Sequence, residues 1–466
     1  MTRSARNTGR LGLGATAVLV AAWAPATVGQ DTNYWTDQFG NSERLLAGAV
    51  VASVSDTGAV YYNPGALALH GSYKALVAAN VIDLSTLDGQ RPGAGTQTFS
   101  DSRFRWLPSL IAGELKFGWL GKSRLAYSFL TRQDVSWNLE DRRNFVPVSG
   151  ALPLSSAYLD SRLAESVSEY WGGITWARPI GSSVGVGITM FGAVRNASAR
   201  PEATIQALQG IGGGAVAIGS QDFDYMHTRL LWKLGLTGKL GPWKLGLTCT
   251  TPSVGLFGSG SAGYDASLAS TGTTGQPGLA VVTTNYQESV SAHFKSPLSI
   301  GAGLARSLGS TQLHLSAEWF DRVAPMAVLD TVPFTSQSTG KLVDNNITYG
   351  VASVFNVAAG VQYDFGPSWH GYLGFRTDKS GALPQSQSNS TFLGADLYHA
   401  AAGATVKVHR VEIAFGVGYA WGSSEVAPLL DRLPALVTLD LPPLSTQFHR
   451  YTFLIGLNLP FESRTP

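Results

Sequence analysis

The sequence predicts an all-β fold: a transmembrane antiparallel β-barrel of about fourteen strands, preceded by a segment that is not part of the wall. Three observations carry that prediction. Apolar residues recur at every second position in one segment after another, which turns one side of each strand to lipid and the other to a lumen. The connections between these segments alternate between short and long. The chain is also poor in charge without holding a long apolar run: 44% of its residues are hydrophobic and 14% charged, against about 25% charge in an average soluble domain.

The chain opens with Arg3, Arg6 and Arg10, an apolar run from Leu11 to Trp23, and the small residues Ala24-Pro25-Ala26. That is the pattern of a secretory signal peptide, residues 1–26, cleaved after Ala26 and excluded from the fold. An uncleaved anchor fits less well, because the run is short for a bilayer core of about 30 Å. Beyond it, no stretch approaches the roughly 18 apolar residues that a spanning helix needs. Residues 27–70 then precede the first strand and are too many for a simple lead-in.

From 71 to 461 the alternation template yields strands near 72–83, 107–118, 122–132, 166–180, 182–195, 225–240, 243–254, 286–306, 311–323, 353–366, 369–378, 397–408, 411–422 and 448–461. The last shows the pattern plainly, with Tyr451, Phe453, Ile455, Leu457, Leu459 and Phe461 on one face and Thr452, Gly456 and Asn458 between them. Short connections centre on 119–121, Gly181, Gly241-Pro242, 308–310, 366–368 and His409-Arg410. Long ones take 84–106, 133–165, 196–224, 255–285, 324–352, 379–396 and 423–447. Barrels of the outer-membrane type have short turns at the periplasmic rim and long loops outside, an asymmetry a soluble sandwich has no reason to keep. Trp119, Trp137, Trp243, Trp369 and Trp421 lie near strand ends, as an interfacial girdle would place them. Residues 462–466 form a C-terminal tail.

Several function classes are excluded at this level. A net charge of +2 gives no footprint for nucleic acid. The single cysteine, Cys249, allows no intramolecular disulfide and no thiolate zinc site; it reads as a small wall residue. No His-Glu-x-x-His pattern occurs, and Gly210 to Gly214 lack the strand-to-helix setting of a phosphate cradle. Neither cofactor nor metal is expected. A Ser-His-Asp set assembled from separate strands, as a barrel lipid hydrolase would need, has no local signature here, and the expectation is a protein that is not an enzyme.

The run Ser55-Asp56-Thr57-Gly58-Ala59-Val60-Tyr61-Tyr62-Asn63-Pro64-Gly65-Ala66-Leu67-Ala68 resembles the hatch segment of the FadL-type long-chain fatty acid transporters, whose hallmark is Asn-Pro-Ala after a Gly/Ala-rich stretch. Here Gly65 stands in the third place. Leu107-Pro108-Ser109-Leu110, Ser296-Pro297 before Ile300-Gly301-Ala302-Gly303-Leu304, and Asn356-Val357-Ala358-Ala359-Gly360-Val361-Gln362-Tyr363 are similar to blocks of the same family. The resemblance implies a fourteen-stranded outer-membrane barrel whose lumen is plugged by residues 27–70. It also implies capture of hydrophobic substrate outside, passage beside the hatch, and sideways release through the wall. One departure is the end of the chain, where Phe461 is followed by Glu-Ser-Arg-Thr-Pro although many barrels end on an aromatic residue.

Asn63-Pro64 has a local physical meaning too, since Asn caps a helix well and Pro suits its first position. The hatch motif is therefore Asn63, Pro64 and Gly65. By alternation Glu169, Arg195, Arg229, His293, Lys295, Glu318, Arg376, Lys407 and Glu412 fall on the lumen face. Most of these have a structural role as their ordinary reading; Arg195, Arg229, Lys295 and Arg376 are the candidates for holding a ligand carboxylate. The expected function is passive uptake of hydrophobic small molecules, long-chain fatty acids first, by a monomer in contact with outer membrane lipids. Aromatic hydrocarbon uptake, a general porin and a lipid hydrolase are the alternatives, in that order.

Overall fold

A computed structural model of the chain describes residues 35–69, 74–90, 99–145, 156–209, 213–271, 278–384, 386–390, 394–409, 411–426 and 444–460. The expected signal peptide, the stretch from Gly210 to 212, Phe461 and the C-terminal tail lie outside them. Three single-turn helices come first: α1 (Ser42–Leu45), α2 (Ala59–Tyr62) and α3 (Pro64–Leu67).

The strands follow in chain order. The first group is β1 (Lys74–Gln90), β2 (Phe99–Leu115), β3 (Arg124–Phe145), β4 (Ser156–Ile180), β5 (Val184–Gln209), β6 (Gly213–Ser220) and β7 (Phe223–Leu240). Next come β8 (Trp243–Thr250), β9 (Val254–Ser270), β10 (Leu279–Ser291), β11 (Ser299–Leu308) and β12 (Thr311–Phe320). Four short strands, β13 (Val323–Leu329), β14 (Phe334–Thr335), β15 (Leu342–Val343) and β16 (Ile347–Val351), pair among themselves. The last group is β17 (Val354–Gly366), β18 (Trp369–Asp378), β19 (Asp396–Val408), β20 (Val411–Val426) and β21 (Leu444–Pro460).

All but the four short strands form one 17-stranded antiparallel sheet, and it closes on itself because β1 pairs with β21. Closure pairs the two end strands, which would otherwise stand open in lipid, where an unpaired backbone group has no water to bond. The ring runs β1, β2, β3, β4, β5, β7, β8, β11, β12, β17, β18, β19, β20, β21. The remaining strands, β6, β9 and β10, stand off it and extend the sheet on the side of the long connections.

In the last two strands the face assignment read from alternation matches the structure. Tyr451, Phe453, Ile455 and Leu457 point outward and are exposed, while Leu454 is buried. Phe415 and Val417 are exposed on the same outer surface.

The long segments are a correction. Residues 84–106, 133–165, 196–224 and 255–285 read as loops, but most of their described residues are strand, continuing β1 to β5 and β7 outward or forming β6, β9 and β10. Their alternation is of small and polar residues: from Ser161 to Glu169 every second residue is buried, yet only Leu163 and Val167 are greasy. A template built on hydrophobicity passes over such strands. Two expected boundaries also shift. The strand expected at 243–254 ends at Thr250, and the one expected at 286–306 is interrupted between Ser291 and Ser299, where Pro297 lacks the N–H a ladder requires.

Residues 35–69 lie inside the ring. Phe39, Leu45, Val60 and Leu67 are buried in one cluster with the wall residues Leu110, Leu130 and Phe191. A second cluster, further toward the long connections, gathers Leu139, Leu163, Phe223, Leu329, Tyr349 and Phe448 from many strands. No described helix is long and apolar enough to cross a membrane.

Candidate functional site

The inner segment is seated in two ways. At one seat Asn63 opens α3: its side chain accepts from the Gly65 N–H at 3.1 Å, with Pro64 at the first helical position. The same amide donates to the Val51 carbonyl at 2.8 Å and the Leu236 carbonyl on β7 at 3.0 Å. Gly65 lies flat on the wall. A Cβ there would stand 2.6 Å from the Gly185 carbonyl oxygen and 2.7 Å from that of Gly235. Gly187 meets Pro64 as closely, and Gly246 meets Val51. Glycine in the third place of the motif thus has a steric reason, because even a methyl group would strike backbone.

At the other seat the contacts are charged. Arg376 on β18 donates to the Thr36 carbonyl at 2.7 Å, and Arg450 on β21 donates to the same oxygen at 3.1 Å. Arg450 also pairs with Asp37 at 3.5 Å. The Thr36 hydroxyl donates to Asp378 at 2.9 Å, a carboxylate that His399 also contacts. The Trp35 indole donates to Glu318 at 2.7 Å. Within the segment, burial first and the neighbouring Asp56 carboxylate second hold the Glu43 carboxyl well above the usual carboxylate range.

Beyond the segment lies a buried charge cluster. Glu169 on β4 pairs with Arg229 on β7 at 2.5 Å and with Arg195 on β5 at 3.4 Å. Trp171 donates to Glu169, Arg195 donates to Gln133 at 2.9 Å and Tyr225 at 3.1 Å, and Arg229 donates to Ser296 at 2.9 Å. The Phe294 ring lies 4.2 Å from the Arg195 guanidinium and 4.8 Å from that of Arg229. Among the described residues two guanidiniums converge on one carboxylate, against an aromatic face.

The structure therefore brings Arg195 and Arg229 together, on Glu169. Arg376 stands apart from them at the charged seat, holding the inner segment's backbone. Lys295 is a correction: the strand is interrupted between β10 and β11, so alternation fails there, and Lys295 is exposed while its neighbours Phe294 and Ser296 are the ones buried against the arginines. Residues not foreseen from the sequence complete both groups: Gln133, Tyr225, Phe294, Asp378, His399 and Arg450. Pairing of distant strands assembles them, and one sequence without register gives no sign of it.

Beside the cluster the wall has a seam. The pairing of β2 with β3 runs only from Leu115↔Leu125 to Leu110↔Leu130. Both strands continue past that point, β2 back to Phe99 along β1 and β3 on to Phe145 along β4. At the end of the shared ladder β3 carries a bulge between Thr131 and Gln133. Arg132, on the bulge, is buried with its guanidinium 5.3 to 5.8 Å from the rings of Phe39, Tyr61 and Trp171. Four residues in a row, Leu130 to Gln133, are buried; that break in alternation is the local sign of a bulge.

The sequence matches no family model and no curated protein. Its fold is shared with solved transporters. The toluene transporter TodX of P. putida superposes with a TM-score of 0.56 at 12% identity, over 91% of this chain and 99% of that one. A Pseudomonas aeruginosa FadL homologue superposes with a TM-score of 0.53 at 12% identity, over 92% and 99%. A TodX deltaS2S3 mutant, described as a monoaromatic hydrocarbon channel, gives 0.56 at 13% identity over 91% and 99%. This chain has the fold of these barrels over most of its length.

Proposed function

We propose that the protein is an outer membrane channel for passive uptake of hydrophobic small molecules, long-chain fatty acids first and aromatic hydrocarbons second. The observation that carries the reading is the seam between β2 and β3, which opens next to a lumen filled by residues 35–69. A filled lumen gives a polar solute no continuous water path, whereas a seam at membrane depth gives a hydrophobic molecule a way into lipid. Lining supports the same direction: the buried cluster on the outer side is apolar and reaches Phe294 at the arginine pair. Solved barrels of this fold include a toluene transporter and a FadL homologue.

On this reading residues 35–69 act as the hatch. Substrate is held mostly by chain burial, about 0.8 kcal/mol per CH₂. Arg195 and Arg229 are the guanidiniums a carboxylate could meet, at about 1.5 to 3 kcal/mol for a charge-assisted hydrogen bond. Toluene, which carries no charge, makes no such hydrogen bond. The test is uptake of labelled oleate and of toluene by cells lacking their own transporter, with and without this protein. Faster entry of either supports the channel; unchanged entry of both overturns it.

A further inference from the structure

At the end of the barrel that carries the short turns, a cavity of about 190 Å³ lies beneath the inner segment. Ser53, Val54, Ala66 and Leu69 form its roof, and Lys239 and Lys244 line its wall. The two lysines stand directly opposite each other on β7 and β8. Both have lumen parity, since Thr237 beside Lys239 is buried inward and Gly246 beside Lys244 faces Val51.

Like charges directly opposite on an antiparallel pair repel. Elsewhere among the described pairings, charged residues that oppose each other differ in sign, as in Lys407↔Glu412, Glu140↔Arg162 and Glu169↔Arg195. Among the described residues, no carboxylate lies within ion-pair distance of Lys239 or Lys244. The same row continues from Lys244 through Ala305 to His314 across β8, β11 and β12. His314 contacts Ser53 through Nδ1 at 2.7 Å, and its buried Nε2 has no protein partner.

We propose that this cavity is an anion site at the inner mouth, holding the carboxylate of an amphiphile between the Lys239 and Lys244 ammonium groups. Its first methylenes lie against Val54, Ala66 and Leu69. The bound carboxylate supplies the negative charge that the wall omits here, through charge-assisted hydrogen bonds from two donors. The site rests on the uptake reading for its ligand class and gives fatty acids a contact that hydrocarbons lack.

Acylation of lysines in the purified full-length protein, mapped by peptide mass, tests the site without any transport. Decanoate is expected to slow acylation of Lys239 and Lys244 severalfold relative to the exposed Lys407, while decanol and inorganic phosphate at the same concentration do not. No protection by decanoate, or equal protection by decanol, overturns the site. Equal protection by phosphate overturns the amphiphile assignment and leaves a small-anion site. In cells, the double variant K239Q/K244Q is expected to lower oleate uptake severalfold and leave toluene uptake unchanged; equal loss of both overturns the assignment. If instead neither substrate depends on the protein, the channel reading has failed while decanoate protection stands on its own.

Discussion

The two seats of the inner segment are built on different physics. At Asn63-Pro64-Gly65 the segment touches the wall backbone to backbone, over Gly185, Gly187 and Gly235. At Trp35 to Asp37 it is held by Arg376, Arg450, Asp378 and Glu318. Close packing of backbone has one arrangement and no titrating group. Charged contacts in a lumen can be exchanged for water or for a ligand's charge. On the uptake reading, we propose that the glycine seat is the pivot and the charged seat the end that swings.

Breaking the charged seat should have the largest effect. Arg450→Ala leaves Asp37 buried without its guanidinium, a loss of about 3 to 5 kcal/mol for a buried pair, and Arg376→Ala removes the bond to the Thr36 carbonyl. The expected result in planar bilayers is a rise in conductance as residues near Thr36 leave the lumen, with the barrel still resistant to sodium dodecyl sulfate. Conductance equal to that of the parent in both variants would show that the charges do not hold this end.

Overfilling the glycine seat should come next. Gly65→Val pushes a branched side chain into the carbonyls of Gly185 and Gly235, at about 1 to 3 kcal/mol for overpacking. Here the expected change is a lower melting temperature of the whole protein, because the pivot is part of the packed core; a stable protein that merely conducts more would exchange the roles of the two seats. Asn63→Ala should act in the same direction at about 1 to 2 kcal/mol, from the lost cap and the bonds to Val51 and Leu236.

The smallest effect is that of pH. Glu43 has a raised pKa in the folded protein, from burial and then from Asp56, so the seated segment binds a proton that the unseated one releases. Seating is then unaffected below the ordinary carboxylate pKa of about 4.3 and weakens as pH rises from there toward the folded value. Channel noise should increase with pH in that window, and Glu43→Gln, which keeps the group neutral, should flatten the dependence. A dependence that persists in Glu43→Gln would place the titrating group elsewhere.

These contrasts also explain what a single sequence discloses. The membrane part of the wall is legible because lipid demands a greasy residue at every second position, as at Phe453, Ile455 and Leu457. The outward extensions of β3 to β5 are not, since Ser161 and Glu165 are buried by neighbouring strands and no apolar pattern marks them. Asn63-Pro64-Gly65 is legible as a local cap, whereas the need for glycine at 65 comes from Gly185 and Gly235 far along the chain. Arg195, Arg229 and Arg376 show their parity but not their partners, because Glu169 reaches the first two through strand register, Phe294 through the break between β10 and β11, and Thr36 reaches Arg376 through the seating of the inner segment.

The central claim is that hydrophobic molecules leave through the seam. Ser109 and Thr131 are the first positions beyond the last paired residues, Leu110↔Leu130. The direct measurement places cysteines at both, in a chain with Cys249→Ser, and joins them with a short bis-methanethiosulfonate in cells taking up labelled toluene and oleate. The account predicts that linking stops uptake of both and that reduction restores it; uptake at the unlinked rate in the fully linked protein would contradict it.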